Sequence, residues 1–132
     1  QLCPAGRELS RAEEEHRQGM AEFEAGNHVE ALQHFTNAWS LEPSTAVYLA
    51  YKIRCQAILS PKPLDPDGDA GDDLRMAAML DPSLPEPHLF LGYLYVDAKR
   101  PADARKYLKQ ALDLDPTNSA ARAALSKVVN AT

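Results

Sequence analysis

The segment EALQHFTNAWSLEPST at 30–45 returns with the same chemical order as DARKYLKQALDLDPTN at 103–118. Ala31 corresponds to Ala104, Phe35 to Leu108, Ala38 to Ala111 and Pro43 to Pro116, all at one constant offset. The residues ahead of them keep this register, because Gly19 falls on Gly92. A third copy, DAGDDLRMAAMLDPSL, lies between them and puts Ala70, Leu74, Ala77 and Pro82 in the matching positions. The shorter of the two proline gaps, from Pro82 to Pro116, sets a unit of about 34 residues. The gap from Pro43 to Pro82 is longer, so the middle copy carries five extra positions. A unit this short has too little partner surface to bury its own apolar stripe, so it gains stability by stacking on the next copy.

Inside each unit the apolar residues recur at helical spacing. Ser10 and Glu13 predict a capping box at the start of a first helix, and Gly26 with Asn27 predicts its stop, since both tolerate the left-handed backbone that ends helices. A second helix then runs to about Leu41, with Ala31, Leu32, Phe35, Ala38, Trp39 and Leu41 on its apolar face and Pro43 beyond. Alanine and glycine at helix crossings allow close approach, while Phe35, Trp39, Tyr95, Tyr107 and Leu108 are expected to fill the core. SAARAALSKVVN, at 119–130, reads as a seventh helix that covers the last apolar face.

A helix-turn-helix unit of this length, with this order of glycine, alanine, aromatic and proline, resembles the tetratricopeptide repeat (TPR). The resemblance runs from about Ala12 to Asn118 and is closest in LFLGYLYVDAKRPADARKYLKQALDLDPTN. There Lys99 and Arg100 replace the usual Gly-Asp turn and Pro101 opens the second helix. In the first unit Gln18 and Glu22 occupy an apolar and an aromatic slot, and in the middle unit Ile53 stands where a small residue is expected. The resemblance implies an all-α, right-handed α-α superhelix (TPR solenoid) of three helical hairpins plus a capping helix. An N-terminal extension would span 1–10 and the TPR domain 11–132, with repeats at 12–45, 46–84 and 85–118 and the capping helix at 119–130.

Composition narrows the function. A net charge of -5 argues against a binder of phosphate backbones, which needs a basic surface to displace counterions. No apolar run approaches the ~20 residues that span a bilayer, and QLCPAGRELS lacks the charged and apolar parts of a signal peptide. The cytoplasm is the default compartment, and the abrupt opening suits a piece of a longer protein. Cys3 and Cys55 are too far apart for a CxxC pair or a zinc set, and Cys55 reads as a small buried hydrophobe. The histidines, His16, His28, His34 and His88, form no HExxH, and neither a GxSxG elbow nor a phosphate loop occurs, so no cofactor and no catalysis are expected.

What remains is binding. In a TPR-like stack the first helix of each unit lines a concave surface, which assigns Glu13, His16, Met20, Phe23 and Glu24 to it from the first unit. Val47, Ala50, Arg54, Ala57 and Ile58 follow from the second, and Glu86, Leu89, Tyr93, Val96 and Asp97 from the third. The groove so built is apolar at its centre and acidic at its edge, which suits a partner protein or peptide segment that is apolar with basic residues. TPR co-chaperones that hold the acidic tails of heat-shock chaperones carry lysine, asparagine and arginine at positions that here are His16, Met20, Ala50, Arg54, Leu89 and Tyr93. Only Arg54 keeps that chemistry, so the carboxylate-clamp function is not expected. The resemblance extends equally to type III secretion chaperones of apolar segments and to bacterial regulators with appended TPR segments. A homodimer through apolar surfaces is a further alternative.

The enlarged turn SPKPLDPDGDAGDD suggests one more. Asp65, Asp67 and Asp69 alternate as calcium ligands often do, which would make a calcium-responsive module. The pattern is defective, because Gly68 precedes the third aspartate and Met76 stands where a bidentate glutamate belongs. Asp67 or Asp69 is instead expected to cap the next helix, and the turn is expected to project from the stack as a second contact surface.

Overall fold

A computed structural model describes residues 8–131, among which there are seven helices and no β-strand. They are α1 (Arg11–Glu24), α2 (His28–Leu41), α3 (Ala46–Leu59), α4 (Asp69–Leu80), α5 (Glu86–Asp97), α6 (Pro101–Leu114) and α7 (Ser119–Ala131). Consecutive helices pair as three antiparallel hairpins, α1 with α2, α3 with α4 and α5 with α6, and each hairpin stacks on the next, with α7 closing the end. Most of the expected extension at 1–10, and Cys3 with it, lies outside the described residues.

The local signals act as expected at most boundaries. Ser10 Oγ accepts from the Glu13 amide at 3.1 Å and Glu13 Oε1 accepts from the Ser10 amide at 2.9 Å, closing the capping box. The Ser10 hydroxyl also donates to Glu42 at 3.1 Å, tying the start of α1 to the α2–α3 turn. Gly26 adopts φ 85°, the left-handed backbone that glycine accepts without steric penalty. The acid before each later proline shapes the turn itself. Asp81 Oδ1 accepts from the Ser83 amide at 3.1 Å and Asp115 Oδ1 from the Thr117 amide at 3.1 Å, both closing turns two residues wide.

Two glycines set the helix spacing. A methyl group at Gly19 would come within 2.8 Å of the Phe35 ring, and one at Gly92 within 2.6 Å of Leu108. These contacts let α1 lie close on α2 and α5 on α6, so that Ala31, Phe35, Ala38, Ala104, Leu108 and Ala111 are all fully buried. In the middle hairpin Ile53 takes the glycine position, is itself buried, and α3 and α4 touch less extensively than the other pairs. The close contact there moves to Gly71, where a methyl carbon would fall 1.7 Å from the Pro66 carbonyl oxygen. Leu74 and Ala77 keep their register, but Gly71 rather than Ala70 is the buried residue of the first turn, because the loop folds over that turn.

The enlarged turn is therefore packed, which corrects two expectations. The residue capping α4 is Gly68, without a side-chain hydrogen bond, so neither Asp67 nor Asp69 caps it. Nor does the turn project freely. Asp67 forms an ion pair with Arg100 of the α5–α6 turn, and Arg75 donates to the Pro66 carbonyl at 2.9 Å and to the Tyr95 hydroxyl. The Arg100 guanidinium in turn lies 4.8 Å over the Tyr95 ring. Leu64 packs on the main core and Pro66 is buried.

Substituting Gly71→Ala is expected to destabilise the fold by about 1–3 kcal/mol, the range for overpacking, despite the better helix propensity of alanine. Gly92→Ala should be less damaging, because the Leu108 side chain can shift whereas a backbone carbonyl cannot. Chemical denaturation of the two variants checks the order.

Candidate functional site: the concave face

The first helices of the hairpins, α1, α3 and α5, carry the residues assigned to the groove, and the structure divides them into packed and open sets. His16 sits among rings, 5.4 Å from Phe35, 5.0 Å from Tyr48 and 6.0 Å from Tyr51 between centroids. Burial pushes its pKa down, and its Nδ1 is buried without a hydrogen-bond partner among the described residues. Met20 and Phe23 pack partly on the Ala31–Phe35–Cys55 cluster, and Val47 on the one formed by Ala12, Ala38 and Tyr48. The Glu13 carboxylate is engaged in the capping box.

Two of the assigned groove residues belong to the core. Leu89 is 5% exposed and Ala50 is 0% exposed, because the stacking of α3 against α5 closes over them. Arg54, Ala57, Glu86 and Tyr93 are half-buried, while Glu24, Ile58, Val96 and Asp97 are exposed.

An aromatic series crosses the stack beneath this surface. Phe23 meets Tyr51 edge-on at 5.5 Å, and Tyr51 meets Phe90 edge-on at 5.2 Å, linking all three hairpins. Burial pushes the Tyr51 hydroxyl up to about 12, helped by the nearby carboxylates of Glu86 and Glu24. Tyr51 and Phe90 were not singled out from the sequence, although they occupy the same repeat position in successive units. Cys55, fully buried, has its thiol pushed up to about 11 by burial.

Arg54 and Tyr93 come together. The guanidinium carbon lies 4.3 Å from the Tyr93 ring centroid and 5.9 Å from that of Phe90, a cation–π stack bridging α3 and α5. Burial lowers the Arg54 pKa, with Tyr93 and Asp97 opposing the shift. Among the described residues no carboxylate forms an ion pair with it. Beside Tyr93 opens a cavity of about 690 Å³ walled by Val96 of α5, Pro101 of α6 and Ala123, Lys127 and Val128 of α7, with Lys99 also lining it. The sequence reading left α7 out of the groove. The repeat register could have supplied it, since Lys127 follows Tyr93 by one full unit and so occupies the same repeat position.

The aspartates at 65, 67 and 69 do not assemble a site. Asp65 Oδ1 accepts from the Asp67 amide at 2.9 Å, Asp67 is paired with Arg100, and Asp69 lies in the first turn of α4. Among the described residues no group of three or more His, Cys, Asp or Glu is placed to hold a metal ion, nor is any helix long and apolar enough to cross a membrane.

The tetratricopeptide-repeat family model matches residues 85–118, the third hairpin. The first TPR domain of Spaghetti (RPAP3), bound to the HSP90 peptide SRMEEVD, has a TM-score of 0.72 at 21% identity, covering 92% of each chain. The TPR2B domain of yeast Sti1, in a complex with pHsp70, has a TM-score of 0.73 at 21% identity, covering 92% of this chain and 98% of that one. The Yersinia enterocolitica type III secretion translocator chaperone SycD has a TM-score of 0.69 at 13% identity, covering 94% of this chain and 96% of that one. A search of curated proteins finds no match. The third hairpin is thus a tetratricopeptide repeat, and the chain has the tetratricopeptide fold of three repeats and a capping helix.

The buried imidazole predicts a pH dependence. A histidine whose folded pKa is depressed contributes stability that is present above its unfolded value of about 6.5 and is lost as pH falls through the folded pKa. Melting temperature should therefore fall on acidification below about pH 6.5, and His16→Phe should flatten the curve. His88, lowered by burial as well, accounts for part of what remains.

Proposed function

We propose that this chain is a non-catalytic docking module whose concave face binds a segment of a partner protein and so helps to assemble a complex. The observation that carries the reading is Arg54. A half-buried guanidinium resting over the ring of Tyr93, without an ion-paired carboxylate among the described residues, is a positioned donor, and that same ring lines an apolar cavity where a side chain fits. The Arg54–Tyr93 pair would orient the segment while its apolar side chains enter the cavity. Glu24 and Glu86, both close enough to influence Tyr51, would meet basic residues toward α1.

Peptide binding by relatives of the same fold supports the general reading, since the Spaghetti domain holds an HSP90 peptide and the second TPR domain of human RPAP3 holds the HSP70 peptide SGPTIEEVD. The chemistry here is different. Of the six positions compared with a carboxylate clamp, Ala50 and Leu89 are in the core and His16 is packed among rings. Arg54 is the one guanidinium among them.

The test is selection of random display peptides on the immobilised chain, followed by affinity measurement. Arg54→Glu and Tyr93→Glu should each weaken the selected peptides by roughly tenfold or more, the scale of losing an aromatic or arginine anchor. Circular dichroism and melting temperature establish that the variants remain folded. Unchanged affinity in both folded variants overturns the groove reading.

A further inference from the structure

The outward side of α4 departs from the two helices that share its place in the repeat. α4 packs on α3 and α5, with Leu74 and Ala77 buried in the main core. Asp72, Met76 and Met79 follow one another at helical spacing on the opposite side and are exposed, Met79 by 74%. The repeat supplies its own controls. The positions of Met76 and Met79 are held by Asn37 and Ser40 in α2 and by Gln110 and Asp113 in α6. A lone exposed apolar side chain is ordinary, but here two methionines one turn apart stand where both sister helices are polar and pack equally well without them. Leu80 extends the same apolar end, although its counterparts Leu41 and Leu114 are exposed too, so the methionines are what set α4 apart.

The other end of this stripe is acidic. Asp72 stands where α2 has Gln33 and α6 has Lys106, so this charge is also particular to α4. Its ion-pair partner, Arg75 at 3.6 Å, makes shorter bonds to the Pro66 carbonyl and the Tyr95 hydroxyl, and the Asp72 side chain stays 71% exposed. Asp69, one turn earlier, and the half-buried Asp73 add two more carboxylates, against Lys52 of α3, whose charge acts on Asp73. From Asp72 to Met79 is two turns, or about 10 Å at ~1.5 Å per residue.

We propose that the outward face of α4 is a second docking surface, on the side away from the groove, for an amphipathic helix of a partner protein that carries lysine or arginine about two turns from leucine- or methionine-like side chains. A convex ridge has no walls to enclose an extended strand, whereas another helix covers it by setting ridge into groove. The partner's basic residues meet Asp69 and Asp72, and its apolar residues cover Met76 and Met79, whose flexible thioethers adapt to the shape laid on them. This surface is independent of Arg54 and Tyr93, so one chain can hold two partners at once.

Display peptides selected on the chain and then sorted on its variants provide the test. One class should keep its affinity on Arg54→Glu and lose roughly tenfold on Met79→Glu, a fully accessible site where the fold tolerates the change. Its members should place Lys or Arg two turns from an apolar residue, and Asp72→Lys should weaken them by roughly fivefold or more while favouring the same peptides with Glu in place of Lys. A bound peptide should also slow conversion of Met79 to its sulfoxide by hydrogen peroxide, read by mass spectrometry, without slowing that of Met20. Circular dichroism establishes that the variants are folded. Absence of any class sensitive to Met79→Glu overturns the proposal, as does a class that is acidic or indifferent to Asp72→Lys; neither result touches the groove reading, which Arg54→Glu and Tyr93→Glu test. If light scattering shows a dimer that Met79→Glu dissociates, the face belongs to a second copy and the proposal fails.

Discussion

The close approach of paired helices at Gly19 and Gly92 is the constraint on which the rest of the molecule depends. With a ring or a leucine side chain under 3 Å from where a methyl group would sit, the helices of the outer hairpins lie close enough to bury Phe35 and Leu108 completely. That burial gives each hairpin its geometry, and the geometry leaves an apolar face for the next hairpin to cover. The stack follows from a sum of such nearest-neighbour interfaces, and the concave face is the side on which α1, α3 and α5 lie together.

The middle hairpin departs from this scheme and is secured differently. Ile53 prevents the glycine contact, and in its place the loop before α4 closes down on Gly71 and reaches the next turn through Asp67 and Arg100. The Arg75–Tyr95 and Arg100–Tyr95 contacts belong to the same join. The insertion in the middle unit therefore serves the interface between the second and third hairpins. That interface is also where α3 presents Arg54 to Tyr93 of α5, so the irregular repeat and the candidate site share one junction.

Electrostatics on the concave face are governed by burial more than by net charge. Desolvation pushes up the Tyr51 hydroxyl and the Cys55 thiol and pulls down His16, which keeps these groups neutral near pH 7. Arg54 stays charged, as arginine does, and its stacking on Tyr93 partly replaces lost hydration.

The fold was legible in the sequence to an unusual depth, because a repeat states its period several times over. Helical spacing, the Ser10–Glu13 cap, the stop at Gly26 and the repeat length, recognisable as tetratricopeptide-like, foretold the hairpins and the capping helix. The same register assigned Arg54 and Tyr93 to one helix face, and the structure brings the two side chains into contact. Local pattern alone could not decide which apolar residues of a concave helix would be covered by its neighbours, and so Leu89 and Ala50 were assigned to the groove although stacking buries them. It could not show that Asp67 would find Arg100 in the next hairpin, nor that α7 would form one wall of a cavity with α5 and α6. Periodicity is written in short-range spacing and survives any arrangement of the units. Burial, ion pairing and cavities arise between units, and only the tertiary packing decides them.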